Sequence, residues 1–109
     1  MAIQTSSDAE LRSIIFDKER VLVKFIDENC SVCQELAPSI ERLADDSRYQ
    51  HITFLRMDAS ENPVSSKEVK LSGTPFFATY CNGTLKDCGL FSSEKEVEAL
   101  VETLSTCCE

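Results

Sequence analysis

The sequence predicts a single α/β domain over residues 1–109, with a central mixed β-sheet and helices on both faces. Three observations carry this. Apolar, β-branched runs alternate with amphipathic stretches through the first two thirds of the chain. An Asn82-Gly83 hairpin signal then joins two strand-like runs. A further amphipathic helix follows. Strand–helix–strand followed by a hairpin and a helix yields parallel and antiparallel pairs in one sheet, with helices left to cover each side. At 109 residues the chain suits one core, and 42% hydrophobic residues are enough to pack it, which argues against disorder.

Ser7-Asp8-Ala9-Glu10 has the form of a capping box, and Leu11, Ile14 and Ile15 follow at helical spacing, so residues 7–18 read as the first helix. A short strand around Ile3 is compatible with what precedes it. Val21 to Ile26 is apolar apart from Lys24 and reads as a buried strand. Residues 31–46 read as the second helix, with Val32, Leu36, Ile40, Leu43 and Ala44 on one face. Pro38 falls inside it and removes a backbone hydrogen bond at a cost of roughly 3 kcal/mol. Ile52 to Met57 is the next strand. Asn62-Pro63 opens a short helix over 63–70, because proline suits the first helical position. Phe76 to Cys81 and Leu85 to Phe91 form the hairpin. Ser93-Glu94-Lys95-Glu96 is a second capping box, and Val97, Leu100, Val101 and Leu104 form the stripe of the last helix. A frayed tail is expected over about residues 105–109. No repeat, linker or low-complexity tract interrupts the pattern.

The formal net charge is −8, and no Lys/Arg cluster offsets it, so nucleic acid is not an expected partner. No apolar run approaches membrane-spanning length, so no membrane partner is expected. Met1 to Asp8 lacks a basic and then apolar leader, which predicts a cytoplasmic protein.

The chemistry centres on Cys30-Ser31-Val32-Cys33, placed between a buried strand and a helix. A first cysteine at a helix N-terminus lies among unpaired N–H groups and the positive end of the helix dipole. Thiolate is favoured there, and thiolate is the nucleophile. The second cysteine lies one turn on, within reach of a mixed disulfide. Cys30 is therefore expected to attack and Cys33 to resolve.

Val-Leu-Val-Lys-Phe, Cys-Ser-Val-Cys-Gln-Glu-Leu-Ala-Pro, Gly-Thr-Pro-Phe-Phe and Asn-Gly, in this order and spacing, resemble the thioredoxin family over nearly the whole chain. The resemblance implies a thioredoxin fold and dithiol–disulfide exchange on protein disulfides. It implies no resident cofactor, with electrons supplied by a reductase or a small thiol. It makes Pro38 the family's helix proline and Pro75 its cis-proline facing the cysteines. Thr74 would then pair its backbone with a bound substrate strand, and Asn29, Ser31, Val32 and Phe91 would complete the substrate surface.

The departures from the family pattern point to an altered potential or substrate range. Ser31-Val32 replaces the usual Gly-Pro, and Asn29 replaces the tryptophan before the first cysteine. The family's buried acid falls on Lys24, and the lysine that partners it falls on Phe54. A groove glycine falls near Phe91. Lys24, if buried, favours thiolate by charge attraction but is not the same general base; if it snorkels to solvent, the effect disappears.

Two other readings stay open. A thioredoxin-fold binding or scaffold module could use the groove without turnover. The C-x-x-C could instead hold zinc or share an iron–sulfur cluster, although His51 is the sole histidine, reads as a surface residue, and no second C-x-x-C exists. Of the remaining cysteines, Cys81 is expected opposite Thr84 and Cys88 opposite Phe77, too far apart to bridge, so both read as core or surface thiols. Cys107 and Cys108 fall in the expected tail.

Overall fold

In the computed structural model, which describes residues 3–28 and 30–106, the chain forms five strands and four helices. In order they are β1 (Ile3–Thr5), α1 (Asp8–Asp17), β2 (Arg20–Ile26), α2 (Ser31–Asp45), β3 (Thr53–Asp58), α3 (Pro63–Glu68), β4 (Phe76–Cys81), β5 (Thr84–Leu90) and α4 (Glu94–Thr106). Short 3₁₀ turns at Ser47–Tyr49 and Ala59–Glu61 flank β3. The sheet order is β1-β3-β2-β4-β5, with β1, β3 and β2 parallel and β4 and β5 antiparallel. This is the mixed sheet the sequence predicts, including the short strand at Ile3.

β2 is buried on both faces, which is why it reads as a run rather than an alternation. Its even and odd residues part between two cores. Leu22 joins Leu36, Ile40, Leu43, Val97, Leu100, Val101 and Leu104 beneath α2 and α4. Val21, Val23 and Phe25 join Leu11, Leu55, Met57 and Val69 on the α1 and α3 side. Successive side chains of a strand point to opposite faces, so Lys24 is directed to the α2 side.

The second capping box forms: Ser93 Oγ accepts from the Glu96 N–H at 3.3 Å, and the Glu96 carboxylate accepts from the Ser92 N–H at 3.2 Å. The first does not. Ser7 Oγ donates to the Glu10 carboxylate, and α1 has no side-chain cap from Ser7. Instead Asn62 Oδ1 accepts from the Asp8 N–H at 2.8 Å. The Asp8 carboxylate in turn accepts from the N–H groups of Val64 (3.1 Å) and Ser65 (2.8 Å), so each helix start caps the other.

At the hairpin, Asn82 and Gly83 both have positive φ, 53° and 84°, as the predicted turn requires. A side chain at Gly83 would also put its Cβ 2.6 Å from the exposed Phe16 ring, which would have to swing away. Cys81 faces Thr84 as expected. Cys88 does not face Phe77: a bulge between Thr79 and Tyr80 shifts the register, so Cys88 faces Ala78 and Gly89 takes the place opposite Phe77.

Candidate redox site

Cys30 is the N-cap of α2, in extended conformation (φ −93°, ψ 99°), and its sulfur accepts the Cys33 N–H at 3.0 Å. The turn that delivers it is closed by the Cys30 N–H donating to the Asp27 carbonyl at 3.1 Å. The sequence folds this way because β2 ends at Ile26, polar residues follow, and a helix with a strong apolar stripe begins at once. Cys30 and Cys33 are joined as a disulfide, with Cα atoms 5.2 Å apart. Both are buried, Cys30 at 9% exposure and Cys33 at 4%, while Ser31 between them is exposed. The helix N-terminus that caps one sulfur is the element that stabilises a thiolate there once the disulfide is reduced.

The Thr74–Pro75 peptide bond is cis, and Pro75 is buried immediately before β4. Asp27, Cys30, Ser31, Val32 and Thr74 line a depression of about 300 Å³. Beside it, Val32, Thr74, Pro75, Leu90, Phe91 and Ser92 line a groove of about 280 Å³. Of the residues expected on the substrate surface, Ser31, Val32, Thr74, Pro75 and Phe91 are thus brought together with Cys30. Asn29 lies outside the described residues. Phe91 is half-buried, with its ring 6.1 Å from that of Phe77, so an aromatic ring forms part of the groove wall. Leu90, Ser92 and Asp27 were not singled out from sequence. Leu90 and Ser92 flank Phe91, and Asp27 directly follows β2, so adjacency to the predicted residues was the available signal.

Lys24 is buried, at 5% exposure, and does not snorkel to solvent. Its Nζ donates to the Cys33 carbonyl at 3.4 Å. Lys24, Arg56, Asp27, Glu28, Cys33 and Gln34 are among the residues around a cavity of about 230 Å³ behind the disulfide. Burial is the main force pushing the Lys24 ammonium below its ordinary pKa; the Arg56 charge adds to it and Glu41 opposes it. Phe54 is a core residue paired across from Leu22, and the β3 residue beside Lys24 is Arg56. His51 is exposed, with Nε2 3.2 Å from the Ser105 carbonyl oxygen. Among the described residues, no group of three or more His, Cys, Asp or Glu converges as metal ligands do, and no helix is long and apolar enough to cross a membrane.

Cys81 is buried and, contrary to the expectation of a free thiol, disulfide-bonded. Cys88 is an exposed free thiol.

The mixed sheet and the disulfide-bonded C-x-x-C at the head of α2 put the chain among thiol–disulfide oxidoreductases. The thioredoxin family model matches residues 2–106, and the chain belongs to the thioredoxin family. Thioredoxin 1 of Plasmodium falciparum is 30% identical over 97 residues, covering 89% of this chain and 91% of that protein. Thioredoxin-1 of Schizosaccharomyces pombe is 29% identical over 83 residues, covering 76% and 79%. A solved structure of Plasmodium falciparum thioredoxin superposes with a TM-score of 0.84 at 29% identity, covering 92% of this chain and 97% of that one. Malassezia sympodialis thioredoxin superposes with a TM-score of 0.88 at 20% identity, over 97% and 96%, a likeness of fold.

Proposed function

We propose that the protein reduces or exchanges protein disulfides, with Cys30 as nucleophile and Cys33 as resolving thiol. The observation that carries this is the Cys30 sulfur capping α2 at the edge of the groove, with Cys33 bonded beneath it. In the reduced protein, the Cys30 thiolate attacks one sulfur of a substrate disulfide. That S–S bond breaks, a Cys30–substrate mixed disulfide forms, and the displaced thiolate takes a proton from water. Cys33, deprotonated, then attacks the Cys30 sulfur. The Cys30–Cys33 disulfide forms and the second substrate sulfur leaves as a thiol. Two electrons have passed to the substrate, and a dithiol reductase or two small thiols must return them.

Ser31 and Val32 present the nucleophile, Thr74 offers backbone hydrogen bonds to an extended substrate segment, and Pro75 leaves the sulfurs unobstructed. Phe91 narrows the groove and makes it more apolar, which selects substrates with an apolar residue beside the disulfide. Lys24 favours the Cys33 thiolate by charge attraction from behind.

The test is reduction of a generic protein disulfide with dithiothreitol as donor. Wild type accelerates it, Cys30→Ser does not, and Cys33→Ser accumulates a mixed disulfide through Cys30. Equal rates for wild type and Cys30→Ser sink the reading. The binding-module alternative draws on the aromatic groove wall. It predicts a partner held equally well by the Cys30→Ser/Cys33→Ser double variant.

A further inference from the structure

Lys24 is a buried cation with spare donors. Its side chain is 5% exposed, and its Nζ donates once, to the Cys33 carbonyl at 3.4 Å. Among the described residues the other two ammonium protons have no acceptor. Arg56 stands opposite it on β3, and neighbouring strands are roughly 4.8 Å apart, so two like charges share one face of the sheet. Both line the cavity of about 230 Å³ behind the disulfide. We propose that this cavity is a binding site for a small oxyanion of the phosphate or sulfate type, held between Lys24 and Arg56.

Charge and donor pattern select the ligand. A buried ammonium is costly without a counter-charge, and a second cation beside it raises the cost. Burial and then Arg56 push the Lys24 pKa down. An anion between the two cations turns that repulsion into two attractions. The donors come from three elements: Lys24 from β2, Arg56 from β3 and Gln34, which carries an amide, from α2. Arg56 gives one guanidinium N–H to Thr5 Oγ1 at 3.0 Å and keeps others for a ligand. A guanidinium fork beside an ammonium suits an acceptor with several oxygens better than it suits chloride. Asp27 and Glu28 line the same cavity, and Glu41 opposes the lowering of the Lys24 pKa. All three carboxylates are exposed, where water and salt screen them. They weaken anion binding without cancelling it, so the affinity expected is millimolar.

The site itself is independent of the dithiol mechanism; its consequence rests on that reading. The Lys24 charge favours the Cys33 thiolate, and a bound anion offsets that attraction. By linkage the anion binds the disulfide form, in which Cys33 carries no charge, more tightly than a form with a Cys33 thiolate. It thereby slows the resolving step, the attack of Cys33 on the Cys30 mixed disulfide. The first attack, by Cys30, stays under the control of the α2 N-terminus.

The test uses the full chain in its disulfide form, so that binding is read without turnover. Inorganic phosphate at pH 7 is titrated against sodium chloride of matched ionic strength while the thermal midpoint is followed. With a Kd of ~5 mM the midpoint should rise saturably, by roughly 6 °C at ~50 mM phosphate. Lys24→Met should keep only the small unsaturable rise that excluded salts give any protein. Should that variant fail to fold, Arg56→Gln, at an exposed position, carries the comparison, with binding weakened severalfold. Glycerol phosphate distinguishes the sources: an equal rise assigns the site to a phosphoryl group, and no rise assigns it to the free ion. A rise that does not saturate, or one equal in wild type and Lys24→Met, overturns the site. Turnover is read separately. Phosphate should slow thiol release from the Cys30 mixed disulfide severalfold in wild type and not in Lys24→Met; an unchanged release rate in phosphate-bound wild type overturns the regulatory consequence. Saturable binding to a protein without disulfide-reducing activity removes the proposed function and leaves the site, and activity without binding does the reverse.

Discussion

Lys24 is a cation in a position where burial penalises charge. Its Nζ has one weak hydrogen bond, to the Cys33 carbonyl, and the Arg56 charge lies beside it. Its pKa is lowered by burial first and Arg56 second, so between the folded value and 10.5 the unfolded chain binds more protons than the native one. Stability therefore rises with pH through that window, and at neutral pH the buried charge is a cost. Lys24→Met should stabilise the protein at pH 7 by on the order of 1 kcal/mol. The gain should shrink as the pH approaches 10.5, as read from denaturant midpoints across pH. The same substitution removes the charge that favours the Cys33 thiolate. Release of substrate from the Cys30 mixed disulfide should therefore slow and its pH profile shift upward. A variant that is more stable but slower separates the two roles. One that is unchanged in rate confines Lys24 to structure.

At the scale of elements, side chains from distant parts of the chain hold the helix ends. Asp8 serves α3 from the start of α1. Burial raises its pKa, but the hydrogen bonds from Ser65 and Val64 outweigh that and the net shift is downward. Its contribution is present above pH 3.8 and is lost as pH falls through the lower folded value. Asp8→Ala should cost about 1–2 kcal/mol at pH 7 and flatten that part of the acid limb in urea titrations. Asp8→Asn keeps an acceptor and should recover part of the loss without the pH dependence. Tyr49 and Glu102 tie the turn after α2 to α4, the hydroxyl donating to the carboxylate at 2.6 Å. This bond, then burial, raises the Tyr49 pKa, so its contribution is present below pH 10 and is lost above the folded value. Tyr49→Phe should lower stability by about 1–2 kcal/mol with an unchanged denaturant slope. Neither contact was legible in the sequence, because each joins residues more than fifty positions apart. The Ser93 capping box was legible because it is local. The Ser7 box has the same pattern, but the Glu10 N–H goes to the Ser7 carbonyl and the Ser7 hydroxyl to the Glu10 carboxylate, while Asn62 holds the Asp8 N–H.

Across the whole molecule, what the sequence revealed follows from locality and period. Element order, the helix stripes, the Asn82-Gly83 turn and the cysteine at the helix head are all set by residues within a turn or a strand of each other. The burial of Lys24 was not settled, since a strand buried on both faces shows no alternation to assign sides. The hairpin register slipped by one residue at a bulge with no proline or glycine to announce it. Cys81 was misjudged because the bonding state of a cysteine at a strand end leaves no local signal in the sequence. One property belongs to no element at all: the net charge of −8. Asp27 and Glu28, both exposed, lie on the loop that leads to Cys30, so the exposed charges on that loop have the same sign as the net charge of the molecule. Long-range charge acts on encounter rates, and clefts of one sign concentrate ligands of the other. Two disulfide peptides alike except for flanking lysines in one and glutamates in the other should therefore differ in rate of reduction. The cationic peptide should react on the order of tenfold faster at ~10 mM salt, where the Debye length is ~30 Å. At ~1 M salt, with a Debye length of ~3 Å, the two rates should converge. A ratio that does not move with salt would assign the discrimination to contacts inside the Val32–Phe91 groove, which salt does not screen.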